Sequence, residues 1–127
     1  MVKRQVLEVP GISHAAPIPM GVKMGNLLFS SAIMGEDPET HSLPPEPERQ
    51  AELVFSNLRT LLDKAGGTPD NIARMTVFLK DMAYRDLVNE QWLKMFPNED
   101  DRPARHAQQV DLPRGMLIQV EIIAVLD

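Results

Sequence analysis

The chain has 127 residues, no cysteine, 43% hydrophobic and 24% charged residues. That composition reads as a single soluble globular domain, 1–127, and excludes disulfide scaffolds, thiolate nucleophiles and cysteine-held zinc or iron–sulfur centres. Thirteen Lys and Arg against eighteen Asp and Glu leave a net charge of −5, which argues against a nucleic-acid partner, because phosphate neutralisation supplies most non-specific affinity.

In chain order, residues 1–8 carry charge but no apolar run of ~7–15 residues, so they do not read as a secretory leader. No stretch approaches the ~20 apolar residues of a membrane span, and the expectation is a cytoplasmic protein with no membrane partner. Gln5 to Val9 is short and β-prone. Met20 to Met24 and Leu27 to Ser31 flank Gly25-Asn26, a two-residue hairpin signal. Gly35 to Gln50 holds four prolines (Pro38, Pro44, Pro45, Pro47) and reads as a long surface loop. A helix is predicted over about Glu48 to Ala65, with Ala51, Val54, Phe55, Leu58, Leu61 and Leu62 on one face and Gly66-Gly67 as its stop. Ile72 to Leu79 alternates, with Met75, Val77 and Leu79 to one side and Arg74, Thr76 and Phe78 to the other. Asp81 is the expected cap of a second helix, roughly Met82 to Phe96, closed by Pro97. Ala104 to Val110 and Leu117 to Leu126 complete a β-β-β-α-β-α-β-β order.

Two amphipathic helices and one-sided strands define an α+β domain of two layers, with helices on one face of a mixed sheet. The other face is unusual. On the last strand it carries Leu117, Gln119, Glu121, Ile123 and Val125, too apolar for water and too polar for a plain core. A face of this kind is expected to meet another subunit.

Among chemistry-bearing residues, Arg105 is a fixed cationic fork suited to a carboxylate, with a surface salt bridge as the alternative. Glu121 is flanked by Val120, Ile122 and Ile123. It is expected to risk burial, and it reads either as a general acid/base or as the partner of an arginine across a subunit boundary. Gln119 can hold a water or ligand but cannot act as a base. Ser30-Ser31 offers a ligand hydroxyl or a turn, the turn being the simpler role. His14 is placed to line a pocket mouth, His41 reads as solvated, and His106 alternates away from Arg105. No histidine pair has metal-ligand spacing, so no metal is expected. No glycine-rich phosphate cradle is present, since Gly66-Gly67 closes a helix rather than opening one.

These residues carry a resemblance. Gly21 to Ser31, Asn71 to Asp81, Pro103-Ala104-Arg105, Leu112-Pro113 and Val120 to Val125 together resemble the Rid family of reactive-intermediate deaminases. That family is also known as endoribonuclease L-PSP or translation-inhibitor proteins. The resemblance implies a chorismate-mutase-like fold and a homotrimer whose sheets form a central barrel with inter-subunit clefts. It implies cofactor-free hydrolysis of enamines and imines, such as 2-aminoacrylate, to 2-keto acids and ammonia. The family's carboxylate-gripping arginine falls on Arg105 and its pocket serine on Ser31. Four positions depart: the following glycine is Ala32, the pocket tyrosine falls on Ile18, a cysteine on Ala107, and the water-assisting glutamate on Gln119. Glu121 retains the second acid of that strand. The expected site is thus Arg105, Gln119 and Glu121 as catalytic candidates, with Ser31, Ala32, Ile18 and Ala107 around the substrate. Two alternatives stay open: a non-catalytic trimer that binds a small carboxylic acid, and a ribonuclease or translation inhibitor.

Overall fold

The computed structural model describes residues 1–127. Seven strands and two helices follow in the order β1 (Arg4–Leu7), β2 (Gly21–Met24), β3 (Leu27–Ser30), β4 (Ile33–Met34), α1 (Pro47–Ala65), β5 (Ile72–Leu79), α2 (Arg85–Met95), β6 (Ala104–Gln109) and β7 (Ile118–Val125). One mixed sheet runs β1-β2-β3-β7-β5-β6, and β4 adds to β7. The β5–β6 pair is parallel. Parallel neighbours need a crossover, and α2 supplies it.

Alternation explains the layers. Ile118, Val120, Ile122 and Ala124 of β7 and Met75, Val77 and Leu79 of β5 are all buried. They meet Val54, Leu58, Leu61 and Leu62 of α1 and Val88, Trp92 and Met95 of α2 in one core cluster. The helical spacing of these residues puts a single stripe of α1 on the sheet. Gly66 ends that helix at φ 80°, and Gly67 N–H closes on the Leu62 carbonyl at 2.8 Å. Gly25 opens the β2–β3 turn at φ 60°, a conformation that costs glycine little. No helix is long and apolar enough to cross a membrane.

The expected strands hold to within two residues at either end, the usual scatter of element boundaries. Three departures have physical causes. First, the second helix does not begin at Met82. Asp81 accepts a hydrogen bond from Ala83 N–H at 2.8 Å and caps a single 3₁₀ turn over Met82–Tyr84, after which the α-helix starts at Arg85. Second, β4 was not expected: β3 leaves β7 after Phe29, and the chain rejoins β7 at Ile33. Ser30 Oγ fills the gap by accepting the Ile122 N–H at 2.8 Å.

Third, the proline-rich stretch from Gly35 to Gln50 is not wholly a surface loop, since Gly35 and Gln50 at its two ends are buried. Asn57 of α1 donates to the carbonyls of Met34 (3.0 Å) and Glu36 (2.9 Å). Gln50 donates to the carbonyls of Pro44 (2.8 Å) and Gly115 (2.9 Å) and accepts from Leu117 N–H (3.0 Å). Gly35 lies so close to this turn of α1 that a Cβ there would fall 2.6 Å from the Gln50 carbonyl oxygen. These contacts tie the connection from β4 to α1 and the turn before β7 to α1.

Candidate active site

Beside β7, the β1–β2 loop, the segments flanking β4 and the turn before β7 enclose a hollow of about 330 Å³. Ile18, Ala32 and Gln119 line it, together with His14, Glu36, Leu43, Arg114 and Met116. Ile18 is 48% exposed at the rim. Its N–H closes on the Ala16 carbonyl at 2.8 Å, a tight turn centred on Pro17. Gln119 Nε2 donates to Met116 Sδ at 3.0 Å. A thioether is a weak acceptor, so this amide is lightly held and available to a guest. Ser13 N–H donates to Glu36 Oε1 at 3.3 Å, joining the first loop to the segment after β4. His14 Nε2 is buried and has no hydrogen-bond partner.

Arg105 lies elsewhere. In the parallel register it pairs with Met75, and Ala107 with Val77, so both point to the helix-covered side of the sheet. This register sets Arg105 on the side of the sheet away from Gln119 and Glu121. The Arg105 guanidinium stacks 4.9 Å from the Trp92 ring centroid, and its Nη2 donates to Asn89 Oδ1 at 2.6 Å. Trp92 is itself braced by Phe96, ring centroids 4.7 Å apart. The other terminal nitrogen, Nη1, is buried and has no partner. Partial burial, and after it the charge of Arg85, lower the Arg105 pKa from the ordinary arginine value. With no carboxylate bonded to it, this is a held, uncompensated cation with one free arm. The surface-salt-bridge alternative is not what the structure contains.

Glu121 is exposed, not buried as its apolar neighbours suggested, because the face of the sheet opposite the helices is open in the single chain. It shares that face with Gln119 but lines a separate hollow of about 380 Å³ with Ser30, Arg74 and Thr76. Ser31 is partly buried, and its N–H donates to the Met20 carbonyl at 2.9 Å. The hydroxyl with a firm structural task is that of Ser30. Ala107 packs against the core cluster.

One chain therefore brings together Ile18, Ala32 and Gln119. It sets Arg105 with Ala107 on the opposite side of the sheet and gives Glu121 a third location. Sequence reasoning singled out neither Asn89 nor Trp92, although both fix Arg105. Their spacing, three residues apart on one helical face, was the available signal. Arg114 is exposed and also lines the hollow.

Comparison with known proteins agrees with this architecture. The sequence profile of the family described as endoribonuclease L-PSP matches residues 12–126. The Reactive Intermediate Deaminase A, chloroplastic, of Arabidopsis thaliana is 34% identical over 98% of this chain and 67% of its own length. A RutC family protein of Pyrococcus abyssi is 33% identical over 88% of this chain and 92% of its own. Among solved structures, E. coli TdcF with bound serine superimposes with a TM-score of 0.85 at 29% identity, covering 97% of this chain and 99% of that one. The chain therefore belongs to the endoribonuclease L-PSP family, the family of the Rid and RutC proteins.

Proposed function

We propose that the protein is a cytoplasmic, cofactor-independent hydrolase that deaminates carboxylate-bearing imines and enamines to 2-keto acids and ammonia. Its working form is a homotrimer, in which Arg105 of the partner subunit faces the hollow formed by Ile18, Ala32 and Gln119. The observation that carries this reading is Arg105: a cation stacked on Trp92, tethered through one nitrogen, with the other unpartnered. The deaminase named among the relatives and the serine held by TdcF support a small, carboxylate-bearing ligand.

The mechanism needs no protein nucleophile. A guanidinium fork grips a carboxylate at two points and fixes the orientation of the adjacent C=N carbon. Gln119, lightly held by Met116, positions the attacking water. Water adds to the carbon, the π electrons move to nitrogen, and collapse of the carbinolamine releases ammonia. Ile18, Ala32 and Met34 give the hollow an apolar lining, which favours substrates with a longer or more apolar side chain than aminoacrylate.

The test is kinetic. Imines generated from several amino acids by an amino-acid oxidase are followed with and without the protein. Acceleration that disappears in Arg105→Ala is expected. The amide at position 119 favours a second reading, a trimer that binds a small carboxylic acid without turning it over. Measurable 2-keto acid binding with no acceleration for any imine establishes that reading instead. The third reading, ribonuclease, predicts RNA cleavage in chelator that survives repurification.

A further inference from the structure

The hollow poses a problem of proton transfer. Imine hydrolysis moves protons twice, from the attacking water and to the departing nitrogen, yet Gln119 is an amide and cannot titrate. The charged groups that line the hollow are Glu36 and Arg114, besides His14. Glu36 is tethered through Oε1 to Ser13 N–H. Arg114 offers only N–H donors and no acceptor. His41, outside the hollow's lining, is engaged by the Gly11 carbonyl at 2.8 Å. His14 differs from all of these. It lines the hollow, and its Nε2 is buried without a partner. A buried polar nitrogen left unbonded costs about 1–3 kcal/mol, so its retention calls for an explanation.

We propose that His14 is the acid–base residue of this site, and that its unbonded imidazole finds its partner in the reacting water and substrate nitrogen. The inference rests on the deaminase reading and gives it the group the sheet lacks. Neutral His14 accepts a proton from water as the water oxygen bonds to the imine carbon and the C=N π pair moves to nitrogen. The imidazolium returns that proton to the nitrogen, giving a carbinolamine. His14 then relays the carbinolamine hydroxyl proton to the nitrogen as the C–N bond breaks. Ammonia leaves, a C=O bond remains, and the histidine ends neutral. One imine and one water give one ketone and one ammonia. No oxidant or reductant is involved.

Two measurements test it. In the first, the imidazole resonances of the full-length protein are followed by NMR as 2-oxobutanoate is added. The His14 signals are expected to shift while those of His41 and His106 do not. An unmoved His14 in a protein that binds the keto acid overturns the proposal. In the second, the pH dependence of imine turnover is compared in wild type, His14→Ala and His14→Gln. Wild type should lose activity toward acid pH. Both variants should fall about 100-fold in kcat and lose that limb, as expected for removal of a general acid–base group. Keto acid binding should stay within about threefold of wild type, since Arg105 is untouched, and added imidazole should restore turnover in His14→Ala. An active wild type with an unchanged His14→Ala sinks this inference and spares the deaminase. A protein inactive on every imine removes both.

Discussion

Arg105 illustrates how one residue can be kept at the expense of the fold. Burial and Arg85 both lower its pKa, so the unfolded chain holds that proton more tightly than the folded one. The sign follows: the unfavourable contribution is present wherever the guanidinium is charged, and it is relieved only as pH rises through the folded-state value. An arginine keeps its charge across the ordinary working range, so between pH 6 and 9 the contribution is constant. Stacking on Trp92 and the bond to Asn89 offset it in part. Methionine keeps an unbranched stem over Trp92 and removes the charge with its unpartnered nitrogen. Arg105→Met is therefore expected to melt at or above the wild-type Tm, flat from pH 6 to 9. The Tm rise that 2-oxobutanoate gives the wild type by mass action should vanish in the variant. A variant that melts clearly lower would show that the Trp92 and Asn89 contacts outweigh the burial. The Pro103-Ala104-Arg105 run made this residue visible in the sequence. Its uncompensated state was not visible, because Asn89 lies 16 residues away on another element.

Gln50 and Asn57 do for the elements what the apolar stripe cannot. Each is a buried polar residue on the core side of α1, and each ties backbone from separate loops to the helix. Gln50→Ala leaves the Pro44 and Gly115 carbonyls and the Leu117 N–H without their partner. It should lower stability by about 2–3 kcal/mol, read as a shift in urea midpoint. Leu58→Ala, a cavity in the same helix, should cost a similar or larger amount, about 2–5 kcal/mol. The two separate in binding: Gln50→Ala should weaken 2-oxobutanoate binding, because Leu43 and Met116 on the freed loops line the hollow, whereas Leu58→Ala should leave it near wild type. Equal binding in the two variants would show that the loops hold their places without Gln50. Periodicity made β5, β7 and α1 legible from the sequence, because each presents four or more turns or pleats to one core. It could not reveal β4, two residues that rejoin β7 just after a serine hydroxyl reaching 92 positions along the chain. Nor could it show that Gln50 reaches Gly115 and Leu117, 65 and 67 positions away.

At the scale of the molecule, the face of the sheet turned away from the helices is the feature still without a partner. Strand register aligns Val22, Phe29 and Ile123 across β2, β3 and β7, and beside them Met24, Leu27 and Val125. Phe29 and Ile123 are each 38% exposed and Val125 45%. A contiguous apolar face of this kind is costly in water and is met by association. The divided site points the same way. Arg105 on one side of the sheet and the hollow of Ile18 and Gln119 on the other act together only if a second copy brings its arginine to the hollow. The sequence showed the mixed character of the last strand, but it could not show which chain supplies which residue. Two charges placed on this face, Phe29→Lys with Ile123→Lys, touch neither Arg105 nor His14 and lie outside the helix-side core. The double variant is expected to keep its circular dichroism, to run in light scattering at the 14.2 kDa of one chain, and to lose imine turnover. A wild type that is monomeric at micromolar concentration, or a dispersed variant that remains fully active, would place the whole site within one chain and defeat the shared-cleft arrangement.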